Sequence, residues 1–332
     1  MWSIELDTSG APLSVRLERA TVRSRLRLTY AEAQQQLDSR TADEPLLLLR
    51  EIGQLREAAE VARGGVSLPL PDQQVAEVDG RYHLEYRAPL ATEGWNAQLS
   101  LLTGLCAARL MLDHGVGVLR TLPSPTNDTV SGLRLAARGL GVEWPPSMNY
   151  PDLIRSLDPS VADQAALLAQ AARLFRGAGY LAFDGSAPVG DEGQHAAVAA
   201  PYAHVTAPLR RLVDRFGNAI VLAQCAGVDP PAWATEALAE LPALMDQGRR
   251  RENAANGSAL DLVEAAVLSA RIGDEVDGVV TNAGKGHASI QVHDPAVVAS
   301  VDDDRLRPGD EVRLRVVGAD TATRKVIFEV VH

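Results

Sequence analysis

Two periodicities divide the chain. Through about residue 270, apolar residues recur mostly every three to four positions, the spacing of one helical face; beyond Gly273 they alternate with polar residues, the spacing of half-buried strands. In the first region two alternating stretches, 2–7 and 13–20, flank Thr8-Ser-Gly10 and predict a hairpin. Thr29 is placed to cap a helix that begins at Tyr30. Residues 45–63 predict a longer helix: Pro45 suits its first turn, Leu48, Ile52, Leu55 and Ala59 share a face, and Gly64-Gly65 stops it. Short strands are predicted at 66–70 and 82–86 around Asp79-Gly80, a buried helix at 95–112 and a rigid connector at 119–125. Helices follow at 128–138, 150–157 and 161–176, the last ended by Gly177 and Gly179. A glycine-rich loop at 185–193 precedes helices at 209–226, 232–245 and 249–270.

From 274 onward, five short strands are predicted at 276–280, 288–293, 297–301, 311–317 and 326–331. Turns at Gly284-Lys-Gly286, Pro308-Gly309 and 319–323 separate them. Such a run after a helical region fits a small oligonucleotide-binding (OB) barrel. The expected domains are therefore 1–270 and 274–332. A strand beginning at Trp2 implies that the sequence opens inside a domain.

Composition narrows the chemistry. Of 332 residues, 46% are hydrophobic and 23% charged, which is ordinary for a globular protein. The net charge of −11 and an aromatic content of 4% argue against loose coating of nucleic acid, but leave room for a narrow basic channel. Cys106 and Cys225 sit in apolar, helix-like runs and read as buried free thiols of a reducing compartment. With no leader pattern and no apolar run long enough for a bilayer, a cytoplasmic monomer is expected, without membrane attachment.

The chemistry concentrates in Tyr202-Ala-His-Val-Thr-Ala-Pro-Leu-Arg-Arg-Leu-Val-Asp-Arg215. Arg210 and Arg211 follow Pro208 at a helix start, where a guanidinium fork and the positive end of the helix dipole can both grip a phosphate. Asp214, four residues after Arg210, is placed to hold that guanidinium across one helical turn. His204 and Thr206 alternate with small residues and can share one side of an extended segment. Taken alone, the arginines read as a solvated pair opening an amphipathic helix; their surroundings change that.

The string resembles the signature of the ribonuclease II/ribonuclease R (RNB-domain) family, roughly Tyr-x-His-Phe-Thr-Ser-Pro-Ile-Arg-Arg-Tyr-x-Asp. The likeness extends to His195 and Tyr180 upstream, to Glu93-Gly-Trp-Asn-Ala-Gln98, to the connector Arg120-Thr-Leu-Pro-Ser-Pro125, to the strand entry after Arg63, and to Arg25-Leu-Arg-Leu-Thr-Tyr30. It covers roughly residues 2–270 in order. The resemblance implies an α+β fold, a mixed β-sheet flanked by helices and followed by a five-stranded OB-fold barrel. It also implies 3′-to-5′ hydrolysis of single-stranded RNA to nucleoside 5′-monophosphates with Mg²⁺. Arg210 would then contact the scissile phosphate, with Tyr202, His204, Thr206, Arg211 and Asp214 around the RNA.

Three departures bear on catalysis. The family's metal-binding aspartate cluster, Asp-x-x-x-x-x-Asp-x-Asp-Asp, has no counterpart, and two-metal hydrolysis needs those carboxylates. The run Asp302-Asp303-Asp304 lies in the barrel and reads as a solvated turn. Asn256-Gly257 stands where the family's last catalytic helix carries a Glu-Arg pair, and Gln98 replaces an acidic residue. His83, His114, His287 and His293 lack metal-ligand spacing. The barrel's Lys285, Arg305, Arg307, Arg313, Arg315, Arg324 and Lys325, with Phe328 as its single aromatic, fit either a weak RNA guide or a structural cap. The expectation is an exoribonuclease-family chain lacking the segment with the metal ligands, impaired by itself. The alternatives are a non-catalytic RNA-binding protein and a subunit completed by another chain.

Overall fold

The computed structural model of the chain describes residues 1–68, 72–159, 161–284 and 286–331. Lys285 and the far end of the strand predicted at 66–70 lie outside the described residues. In chain order the elements are β1 (Trp2–Leu6), β2 (Pro12–Leu17), α1 (Tyr30–Asp38), α2 (Glu44–Arg63), β3 (Asp72–Val78), β4 (Arg81–Arg87), α3 (Ala91–His114), β5 (Val116–Thr121), α4 (Asn127–Gly139), α5 (Tyr150–Ser156) and α6 (Ala162–Ala171). Then come β6 (Gly179–Asp184), β7 (Gln194–His195), β8 (Ala200–Pro201), α7 (Leu212–Ala226), α8 (Ala232–Thr235) and α9 (Leu241–Ser269). The chain closes with β9 (Glu275–Gly284), β10 (His287–Val292), β11 (Val297–Val301), β12 (Glu311–Asp320) and β13 (Lys325–Val330).

Local chemistry accounts for several helix ends. Thr29 and Glu32 exchange side-chain and backbone bonds in a capping box at α1. Asp43 caps α2 through Leu46 N, and Gly64, at φ 81°, closes it in the left-handed region that a side chain disfavours. The sequence predicted separate helices at 232–245 and 249–270; instead α9 runs unbroken through Gly248 and Gly257. Nothing lies within 4 Å of where a side chain would start at either glycine, so each lowers helix stability by about 1 kcal/mol relative to alanine without stopping it.

The chain forms two compact units. One comprises Met1–Val66, Pro89–Ser124 and Phe175–Gly248; the other comprises Ser67–Ala88, Pro125–Leu174 and Arg249–His332. In the first, α3 packs against α2 and α7. β5 pairs antiparallel with β6, and the bridges Arg120↔Tyr202 (antiparallel) and Leu122↔His195 (parallel) tie it to the β7–β8 region. Leu119 packs with Met111, Ala203 and Val205, while Val118 packs with Val213, Ile220 and Leu241, so β5 is covered on both faces. Fully burying side chains such as Met111 and Ile220 stabilises the fold by about 1.5–3 kcal/mol each.

In the second unit, β11-β10-β9-β12-β13 form an antiparallel sheet. It curls until β11 packs on β13, nearly closing a barrel. Val280, Ile290, Val292, Leu314, Val316 and Phe328 fill it. This is the predicted OB-type barrel appended to an α+β fold. Among the described residues, no helix is long and apolar enough to cross a membrane. Cys106 is a buried free thiol as expected, whereas Cys225 is only half-buried.

Candidate functional site

The site grows from β5. Its cross-strand neighbours are Tyr180 on one side and Tyr202 on the other, with Arg120 between them. The Arg120 guanidinium lies 4.8 Å from the centre of the Tyr180 ring and donates to Gly179 O at 3.3 Å. Arg120 N–H donates to Tyr202 O at 2.7 Å. A hydrogen bond of 2.8 Å joins the Tyr180 hydroxyl to His204 Nδ1. Tyr202 meets His204 and His195 edge-on, with centroids 5.4 and 5.8 Å away. Its own ring is buried against α3 at Gly104, where an added methyl would fall 2.1 Å from Tyr202 Cε2.

Burial first, then the positive charges of Arg211 and Arg120, push His204 down to about 3. Burial and then Arg120 take His195 to about 4. Burial also raises the phenols of Tyr180 and Tyr202. All four rings are therefore neutral at pH 7, and the fixed cations around them are unopposed by ring charge.

The arginine pair follows. Ala207 O accepts from the N–H groups of Arg210 and Arg211, closing a turn before α7. The helix starts at Leu212, three residues later than predicted, and this changes the expected pairing. Asp214, with no exposed surface, forks onto Arg211 rather than Arg210: Nε–Oδ2 is 2.8 Å and Nη2–Oδ1 is 2.7 Å. The same carboxylate accepts Ala207 N–H at 2.7 Å. Burial opposes charge on Arg211, but the Asp214 bonds outweigh it and raise its pKa. Asn218 continues the clamp, donating to Val205 O at 2.7 Å and Asp214 O at 2.8 Å, and Trp2 Nε1 donates to Asn218 Oδ1 at 3.2 Å.

The structure thus sorts the predicted residues. Tyr202, Arg211 and Asp214 form a braced layer, His204 is half-buried against it, and Thr206 and Arg210 are exposed. Among the described residues, the Arg210 side chain makes no hydrogen bond or ion pair, and its neighbour Leu209 is fully exposed at 102%. Arg211, the N-cap of α7, makes no side-chain cap bond, so the first-turn N–H groups favour an anion. Asn218 and Gly104 were not singled out from the sequence; only the packing shows their roles.

Magnesium belongs to the hydrolysis that the family resemblance implies, and the donor set does not fit it. Among the described residues, no group of three or more His, Cys, Asp or Glu side chains is arranged to hold a metal ion. Both Asp214 oxygens are engaged, and Glu60 is bonded by Gln98. In the barrel, Asp302 pairs with His287 and Asp303 with Arg305.

Comparison with known proteins adds three findings. The sequence matches the RNB domain over residues 1–223 and the RNase II-type exonuclease C-terminal S1 domain over residues 274–331. Among curated proteins, none matches it in sequence. Among solved structures, it resembles Mycoplasma genitalium RNase R in complex with ribose methylated single-stranded RNA, with TM-score 0.84, 13% identity, and coverage of 99% of this chain and 57% of that one. It also resembles an active-site mutant of the Dss1 exoribonuclease from Candida glabrata (0.65, 13%, 92% and 38%) and yeast Ssd1, a pseudonuclease (0.65, 14%, 94% and 41%). The chain spans little more than half the length of the RNase R chain. At these identities the likeness is one of fold.

Proposed function

Because this chain belongs to the RNB-domain family, we propose that it binds single-stranded RNA with a backbone phosphate seated on Arg210, and that its own residues hold the strand without cutting it. The observation that carries this reading is the contrast between the two arginines. Arg211 is locked into Asp214, whereas Arg210 stands exposed and unpaired on the turn that this lock immobilises. A free, pre-positioned guanidinium can form two parallel bonds to phosphate oxygens, and the uncapped start of α7 adds a favourable dipole. The neutral Tyr180–His204 pair and Arg120 add no negative charge to the site. Hydrolysis in this family calls for carboxylates around metal ions, and the described residues do not assemble them. A pseudonuclease of the same fold, Ssd1, is a precedent for such a separation.

The test is direct. Incubated with 5′-labelled single-stranded RNA and Mg²⁺, the purified chain should retard the RNA on a native gel without shortening it. Release of nucleoside 5′-monophosphates would replace this reading with that of an active exoribonuclease. Absence of retardation would remove RNA from the function.

A further inference from the structure

A second feature of the first unit lies outside the Arg210 site. Between the end of β2 and the far end of α7 runs a groove of about 630 Å³. Leu222, Ala223, Val228 and Trp233 are among its apolar lining residues. The indole is 55% exposed, yet an edge-to-face contact with Phe216 (5.2 Å, 64°) fixes its position. Arg16, Arg19, Glu18 and Asp229 also line it. Glu18 lies 3.7 Å from Arg16, an exposed pair of little energetic consequence.

The chain that leaves this groove is unusual for so acidic a protein. Residues 19–27 form neither helix nor strand and are all exposed, including Val22 at 78% and Leu26 at 68%. They carry Arg19, Arg23, Arg25 and Arg27 and no acidic residue. Among the described residues, these four guanidinium groups form no hydrogen bond or ion pair; Arg27 only helps lower the carboxyl pKa of Glu32. A fixed, open aromatic ring beside a cationic strip is the combination that non-specific single-strand binders use, bases stacking on the ring while arginines follow the phosphates. A protein or apolar peptide partner would explain the apolar lining, but not the run of four exposed arginines beside it.

We propose that this groove and the 19–27 strip form a second contact for single-stranded RNA, with a base stacked on Trp233 and the backbone led along Arg19, Arg23, Arg25 and Arg27. The proposal rests on the RNA-binding reading above but on separate residues. Titration of fluorescein-labelled oligouridine by anisotropy, over a salt series, tests it. Trp233→Ala should weaken binding about tenfold, the scale of one lost base stack. The triple variant R23S/R25S/R27S should reduce the slope of log affinity against log salt by about 2, at roughly 0.7 per single-strand phosphate contact. If both bind as wild type while Arg210→Ala is weakened, the groove is not an RNA site and the Arg210 reading stands. If the wild-type chain binds no oligouridine, both readings fall. Unchanged RNA affinity in Trp233→Ala, together with a shift in sedimentation, would reassign the groove to a protein contact and overturn the proposal. Should Trp233→Ala misfold, Trp233→Phe keeps a ring against Phe216. Retained affinity with lost RNA-dependent quenching of tryptophan emission is then expected, and undiminished quenching overturns the assignment.

Discussion

Replacing Asp214 separates two effects that pull RNA affinity in opposite directions. Its carboxylate is wholly buried, and the Arg211 side chain is 19% exposed. Removing one member of a buried, hydrogen-bonded ion pair costs about 3–5 kcal/mol, because the other charge is left unpaired. Partial water access to Arg211 places Asp214→Ala near the lower end, at about 3 kcal/mol. Asp214→Asn can still accept Ala207 N–H, a bond contributing about 1 kcal/mol, so about 2 kcal/mol is expected. The double variant R211M/D214L removes both charges and should lose far less than the sum of the single changes. Urea unfolding followed by tryptophan fluorescence measures all three. A loss below about 0.5 kcal/mol in Asp214→Ala, or simple additivity in the double variant, would refute the clamp.

The sign of the RNA effect is the sharper test. By Coulomb's law alone, deleting a negative charge beside a phosphate site strengthens binding. If the Asp214 bond to Ala207 holds the turn that presents Arg210, deletion frees that backbone, and re-ordering each residue costs about 1–2 kcal/mol. We therefore expect Asp214→Ala to bind RNA more weakly than wild type, and tighter binding would show that Asp214 only opposes the anion.

Other outcomes follow from single observations. Arg210→Ala removes an exposed, unpaired side chain, so unfolding free energy should stay within about 0.5 kcal/mol of wild type while the salt slope of oligouridine binding falls by about 0.7; an unchanged slope excludes a phosphate contact. His204 and His195, held near 3 and 4, lie below the ordinary value, so the unfolded chain takes up protons first as pH falls. Their contribution is complete above about pH 6.5 and is lost toward the folded values, at up to about 1.4 kcal/mol per pH unit for each. His204→Gln should accordingly flatten the decline in urea midpoint between neutral and mildly acid pH, and an unaltered decline counts against its burial in the neutral form. Gly104→Ala forces a methyl into Tyr202 and should lower stability by about 1–3 kcal/mol, read as a thermal shift; a wild-type melting curve would mean that the α3–Tyr202 contact is slack.

What the sequence disclosed was the material whose signal is local. The caps at Thr29 and Gly64, the barrel's alternation and the arginine string all announce themselves within a few residues. The parts that position the site did not. Residues 119–125 read as a connector, yet Val116–Thr121 is the strand on which the site is hung, and Gly179–Asp184 is its partner. β5 is covered on both faces by side chains distant in sequence, so it lacks the alternation that marks a half-buried strand. The helix start was misplaced for a related reason. Pro208 signals an N-terminus, but the turn closed on Ala207 O delays the helix to Leu212, which moves Asp214 from Arg210 to Arg211. One displaced turn decides which arginine is locked and which is free.

Binding a polyanion with a chain of net charge −11 is a question of range. At physiological salt, exposed charges act over roughly 8 Å, so a phosphate at Arg210 feels its immediate neighbours and little of the whole. In the barrel those neighbours cancel: Arg305, Arg313 and Arg315 each face a carboxylate. Asp214, four residues from Arg210, is spent on Arg211, and the 19–27 segment itself includes no acid. On the proposed reading, RNA would be drawn to particular arginines rather than to a basic surface. Lowering the salt lengthens the range toward about 30 Å at 0.01 M, and the bulk negative charge then opposes approach. Counterion release alone gives a straight line of log affinity against log salt; for this chain the line should bend over at low ionic strength, where a uniformly basic binder would continue to tighten.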